Sequence, residues 1–71
     1  LEAEFVFEMD ERKAEILYRA LKVEELDAIS KAKVYLEGGR LMLKLEADEL
    51  ADLRAAVNAW LRLIKACLEV L

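Results

Sequence analysis

KAKVYLEGGRLMLKLE, residues 31–46, is the stretch whose reading decides the fold. On either side of Gly38 and Gly39, apolar and polar residues alternate with the period of a half-buried strand. Ala32, Val34 and Leu36 share one face with Leu41, Leu43 and Leu45, while Lys31, Lys33, Tyr35, Glu37, Arg40, Met42, Lys44 and Glu46 share the other. The glycine pair can supply the positive backbone angles of a two-residue turn, so a β-hairpin is predicted. One face of it needs cover.

Working outward, LEAEFVFEM (1–9) alternates in the same way, with Ala3, Phe5, Phe7 and Met9 on one side. Asp10 is a good N-cap, and ERKAEILYRALKVEE follows with Ala14, Leu17, Tyr18 and Leu21 at helical spacing, a helix expected to end near Val23 to Leu26. After the hairpin, Asp48 is expected to cap a long closing helix whose first turn carries Glu49 and Asp52. The order is strand, helix, strand, strand, helix. It implies one α+β domain over residues 1–71, a two-layer sandwich with an antiparallel-rich three-stranded sheet and both helices on one face.

Seventy-one residues hide only about 60–65% of their unfolded surface on folding, so the monomer should be marginal. The lone Cys67 makes no internal disulfide, and with no histidine no closed zinc site can be assembled. Oligomerisation is the remaining remedy. A net charge of −4 argues against holding nucleic acid through bulk charge. The distribution is uneven, because Glu2, Glu4, Glu8, Asp10 and Glu11 precede the first base, whereas bases outnumber acids from Ala28 onward. With no membrane span and no signal-peptide pattern, a cytoplasmic protein without membrane association is expected.

The closing helix carries an apolar surplus. At about 100° per residue, Leu50, Leu53, Val57, Trp60, Leu61, Ile64 and Leu68 form a stripe expected to cover the sheet. Ala56, Ala59, Leu63, Ala66, Cys67 and Val70 form a second sector, and only Arg54, Asn58, Arg62, Lys65 and Glu69 are clearly polar. Either the first helix covers that second sector or a partner chain does. Because the first helix has its own spare sector in Ile16, Ala20 and Val23, the reading preferred is a composite groove that takes a partner.

LRAAVNAWLRLIKACLEVL, behind a strand, a helix and a glycine hairpin, resembles the small dimeric subunit of the KEOPS (EKC) complex, the family that includes the cancer/testis-antigen-like proteins. The likeness spans nearly the whole chain and is strongest at Leu53, Arg54, Ala55 and Asn58 followed by Leu61, with KAEILYRALKVEE similar to the family's first helix and GGRLMLKLEADE to its hairpin. The resemblance implies a noncatalytic homodimer whose helices dock on the catalytic subunit that makes threonylcarbamoyladenosine at position 37 of tRNA, with a weak or indirect tRNA contact. Some members continue past the last helix, whereas this chain stops at Leu71.

The candidate partner or dimer interface comprises Arg54, Ala56, Asn58, Ala59, Trp60, Leu63, Ala66, Cys67 and Val70 with Ile16 and Ala20 of the first helix. Arg54 and Asn58, four apart, could grip a partner's backbone or carboxylate, against the plainer reading of a solvated stripe. Trp60 is an anchor of core or interface, and Cys67 is inert packing. Lys31, Lys33, Arg40 and Lys44 beside Tyr35 form a candidate nucleic-acid surface, against a solvated sheet face with pairs to Glu37 and Glu46. Val6, Tyr35 and Met42 on that face could instead mark a sheet-to-sheet dimer contact.

No catalytic constellation is present: no histidine, no phosphate loop, no serine beyond Ser30, and no carboxylate pair in an apolar setting. The expectation is no enzyme, no cofactor and no metal. Two rivals stand beside the accessory-subunit reading, a stand-alone RNA-binding domain using the basic sheet face and an α+β domain without a partner.

Overall fold

The structure, a computed structural model, describes residues 1–25 and 31–71. It contains β1 (Glu2–Glu8), α1 (Glu11–Glu25), β2 (Lys31–Glu37), β3 (Arg40–Glu46) and α2 (Leu50–Val70). The α+β order expected from periodicity is the order observed. Leu26, at the limit of the expected first helix, lies outside the described residues, as does Ser30.

The strands lie in the order β1-β3-β2, with β3 antiparallel to both neighbours. The register places Phe5, Leu43 and Val34 in one line across the sheet, and Phe7, Leu41 and Leu36 in the next. All of these point to the helix side, where Val34, Leu41, Leu43 and Leu45 are enclosed. Alternation therefore gives the sheet one dry face and one wet face.

Two local features fix how β1 joins the hairpin. The Gly38 φ of 61° is the only positive glycine φ among the described residues, so the turn has the pattern of a type II′ hairpin, which needs a positive angle at its first central position alone. Gly39 is needed for a different reason. Met9 N–H donates to its carbonyl oxygen at 2.9 Å, and a side chain at Gly39 would collide with the Met9 carbonyl oxygen. One glycine bends the hairpin and the other lets β1 approach it.

The helix starts differ from each other. Asp10 caps α1, its Oδ1 accepting from the Lys13 N–H at 2.9 Å while its carbonyl accepts from Ala14 N–H at 3.0 Å. The cap expected at Asp48 is not formed: the N-cap of α2 is Glu49, with no side-chain hydrogen bond. The glutamate carboxylate is one methylene too long to fold back onto its own helix start as aspartate does.

α1 packs over β2 and β3, and α2 over β3 and β1. The core comprises Ala14, Leu17 and Leu21 of α1, the inward strand residues, and Leu53, Trp60 and Ile64 of α2. Fully burying a leucine or isoleucine is worth roughly 1.5–3 kcal/mol, so these few side chains carry the fold. The stripe expected to cover the sheet does so only in part, because Leu50, Leu61 and Leu68 are exposed. α2 is turned so that Trp60, its largest side chain, is enclosed at 6% exposure. The covered arc thereby shifts toward Ala56, Leu63 and Cys67, which pack against the core.

Candidate docking surfaces

The helix layer presents two apolar surfaces, one on each side of α2. On α1, the Glu25 carboxylate accepts from Val34 N–H at 2.9 Å, which points the flank of Tyr18, Lys22 and Glu25 toward the outer edge of β2. Ala20, on the opposite flank, therefore turns toward α2. On α2, cover extends further around the flank of Ala56, Leu63 and Cys67 than around the flank of Leu50, Leu61 and Leu68. Since α1 is the only helix beside it among the described residues, the better-covered flank is the one facing α1.

The seam between the helices is thus rimmed by Ile16, Ala20 and Val23 of α1 and by Ala59, Ala66 and Val70 of α2, all exposed, Val70 at 85%. Its rim on α2 is built from small residues, which let another helix approach closely. Its floor is Ala56, Leu63 and Cys67.

Arg54 and Asn58 lie on the other side. Together with Leu53 and Val57 they line a shallow depression of about 270 Å³, next to the exposed Leu50, Leu61 and Leu68. Among the described residues Arg54 has no ion-pair partner, so its guanidinium is available to a carboxylate. The eleven interface residues expected from the sequence are therefore not one patch. Ile16, Ala20, Ala59, Ala66 and Val70 rim the seam, Ala56, Leu63 and Cys67 floor it, and Arg54 and Asn58 belong to the outer flank. Trp60 is enclosed in the core of this chain.

On the opposite face of the molecule, Lys31, Lys33 and Arg40 are exposed and Lys44 is half-exposed. Carboxylates are interleaved among them. Arg40 lies 3.2 Å from the Glu8 carboxylate and Lys44 lies 3.7 Å from Glu2, and the register sets Glu4 beside Lys44 and Glu46 beside Lys31. Each cation has a carboxylate within a strand spacing or two, which weakens its pull on a phosphate.

Sequence reasoning missed the role of Glu25. Burial pushes its carboxyl up, but hydrogen bonds from Lys22 (3.1 Å) and from Val34 N–H, with the positive charges of Lys22 and Lys33, outweigh that and hold it below the ordinary value of 4.5. The Lys22 ammonium is raised above 10.5, first by its bond to Glu25; it also sits 5.7 Å from the Tyr18 ring centre. The i, i+3 spacing of Lys22 and Glu25 was visible in the sequence, but not that the pair would close the edge of β2.

No helix among the described residues is long and apolar enough to cross a membrane. A family model described as "Transcription factor Pcc1" matches residues 1–71. The chain is 34% identical over 61 residues to a KEOPS complex subunit Pcc1 of Pyrococcus abyssi (strain GE5 / Orsay), an alignment covering 82% of this chain and 74% of that relative.

Proposed function

The chain belongs to the Pcc1 family, and from that premise we propose that it is a noncatalytic subunit of a KEOPS complex, homodimeric, cytoplasmic, and docked through its helix layer on the catalytic subunit that makes threonylcarbamoyladenosine at position 37 of tRNA. The observation that carries this reading is the apolar seam. Ile16, Val23 and Val70 stand exposed around small residues on two neighbouring helices, a shape suited to an incoming amphipathic helix read at i, i+3, i+4 and i+7 positions. Four aliphatic side chains buried there would supply an upper estimate of about 10 kcal/mol, on the scale of the stability of the whole domain.

The chemistry of the reaction belongs on this reading to the catalytic subunit, and this chain positions it. The Arg54 guanidinium, without an ion-pair partner among the described residues and beside the depression on the outer flank, adds a directional contact to a carboxylate at the edge of the docked partner. The RNA-binding alternative has no comparable support, since carboxylates are interleaved among the four cations of the sheet face. Any weak tRNA contact is accordingly placed on the assembled complex rather than on this chain alone.

The test is co-purification with a separately tagged KEOPS catalytic subunit. The wild-type chain is expected to form a stable complex, and the pair Ala59→Glu with Ala66→Glu, both at exposed positions, is expected to abolish it while leaving the circular dichroism spectrum unchanged. A complex that survives both charges places the docking surface elsewhere.

A further inference from the structure

We propose that the free edge of β1 is a strand-addition site for an extended segment of another protein, paired antiparallel to Glu2–Glu8 and alternating basic with apolar residues.

The hydrogen bonds supply the first argument. Leu1 and Ala47 exchange backbone bonds at 2.9 Å and Met9 N–H donates to Gly39 at 2.9 Å, so the antiparallel register turns the backbone groups of Ala3, Phe5 and Phe7 toward β3. Those of Glu2, Glu4, Val6 and Glu8 point outward, and among the described residues no group bonds them there. The opposite edge is guarded, since Val34 N–H of β2 donates to Glu25. β1 has neither a proline nor a break in register from Glu2 to Glu8, two of the devices that blunt an edge.

Cover supplies the second argument. Ala32 and Val34 of β2 are buried, whereas Ala3, Phe5 and Phe7 on the dry side of β1 are half-buried, the two rings stacked with centroids 6.4 Å apart. α2 packs on this side of the sheet, and on its outer flank Leu53 and Val57 line the depression while Leu50 and Leu61 are exposed. A strand added beside β1 would set its own apolar side chains between the phenylalanine rings and that flank, completing the layer this half of the sandwich lacks.

Charge selects the occupant. The wet side of β1 carries Glu2, Glu4 and Glu8 and no base. Lys44 at 3.7 Å and Arg40 at 3.2 Å partly balance Glu2 and Glu8, while Glu4 has no ion-pair partner among the described residues. A second β1 laid antiparallel would set Glu8 on Glu2 or on Glu4, and the β2 of a second copy has its edge held by Glu25. The segment that fits therefore comes from a different protein, with lysine or arginine opposite Glu2, Glu4 and Glu8 and apolar residues opposite Ala3, Phe5 and Phe7. Backbone pairing supplies its affinity and the alternating side chains its specificity. So short a contact is expected to dissociate at about 100 μM and to weaken with salt.

The probe is a blocked peptide, Lys-Val-Thr-Val-Lys-Val-Lys, whose order sets its lysines opposite Glu8, Glu4 and Glu2. At about ten times its midpoint concentration it is expected to slow hydrogen exchange of the Glu4 and Val6 amides of the full chain about tenfold, leaving Val34 unchanged. The same peptide with glutamate in place of lysine is expected to bind about tenfold more weakly, and Glu4→Lys to narrow that difference. Val6→Pro removes an outward N–H at an edge position that tolerates proline and is expected to weaken binding about tenfold. Ala59→Glu with Ala66→Glu, on the helix seam, is expected to bind as the wild type does. Amides of β1 that stay unprotected, equal binding of the two peptides, or binding indifferent to Val6→Pro overturns the proposal. Loss of binding in the seam variant also overturns it, by placing the peptide on the helix layer. If Val6→Pro fails to fold, the two peptides read against Glu4→Lys decide the matter.

Discussion

The half of the molecule built from α1 and β2 is closed, and the half built from α2 and β1 is ajar. Ala14, Leu17 and Leu21 are fully enclosed, β2 buries Ala32 and Val34, and Glu25 occupies its edge. Across the sheet, Ala3, Phe5 and Phe7 of β1 are only half-buried, and α2 leaves Leu50, Leu61, Leu68 and Val70 exposed. Rotation and length together explain the contrast: α2 turns Trp60 inward and leaves the mid-helix Leu61 outside, and its ends outrun the sheet. The 15 residues of α1 extend about 22 Å, close to the roughly 23 Å of a seven-residue strand, whereas the 21 residues of α2 extend about 32 Å. A helix that outruns its sheet has apolar turns that its own chain cannot cover. Stability is thus concentrated in the matched half and binding surface in the mismatched one.

The largest expected effect tests that division directly. Leu17→Ala removes an enclosed side chain and is expected to lower unfolding free energy by about 3 kcal/mol, while Leu68→Ala on the overhanging turn costs under about 1 kcal/mol. Urea denaturation at one protein concentration reads both. Equal losses would break the comparison.

The next largest separates the two glycines. Gly39→Ala forces β1 away from the hairpin at Met9 and is expected to cost about 2 kcal/mol. Gly38→Ala places a side chain at a φ of 61° with only the Glu11 carboxylate in ordinary contact at 3.9 Å, at a cost of about 1 kcal/mol. If the order is reversed, the approach of β1 is looser than the structure indicates. Smaller again is the contrast between helix starts: Asp10→Ala is expected to lose about 1 kcal/mol, and Glu49→Ser to gain a few tenths to about 1 kcal/mol by supplying the missing cap. Thermal melts of the two variants check the opposite signs.

The elements, their order and the dry face of the sheet were legible in the sequence because each depends on local periodicity: Leu41, Leu43 and Leu45 can face only one way once Gly38 and Gly39 set the turn. The rotation of α2 was not legible. A helical wheel shows how wide an apolar arc is, but which part is covered depends on where Trp60 finds room and on which side α1 lies, both of which are tertiary facts. The same limit split the expected interface, since Arg54 and Ala59 are five apart and a helix turns them to opposite flanks. The Asp48 cap failed for a related reason: a capping residue is recognised by type, but whether the chain enters the helix at 48 or 49 depends on how β3 ends.

The smallest effect probes the closure of β2 itself. Leu1 and Ala47 exchange backbone hydrogen bonds at 2.9 Å and Met9 bonds Gly39, so the odd residues of β1 face β3 and the N–H groups of Glu2, Glu4, Val6 and Glu8 face the open edge. Val34 N–H faces the other edge but is held by Glu25. In hydrogen exchange at neutral pH, the Val34 amide is expected to be protected and the Val6 amide to exchange fast. Because the Glu25 carboxyl is held below its ordinary value in the folded chain, its contribution is present above 4.5 and is lost as pH falls through the folded value. Val34 protection should therefore fall toward that of Val6 in acid, and Glu25→Ala should produce the same loss at neutral pH. Glu25→Gln, which keeps an acceptor oxygen but no charge, should retain part of the protection and remove its pH dependence. Were Val34 to exchange as fast as Val6 in the wild-type chain at neutral pH, both edges would be open, and the closed half would owe its stability to Leu17 and Leu21 alone.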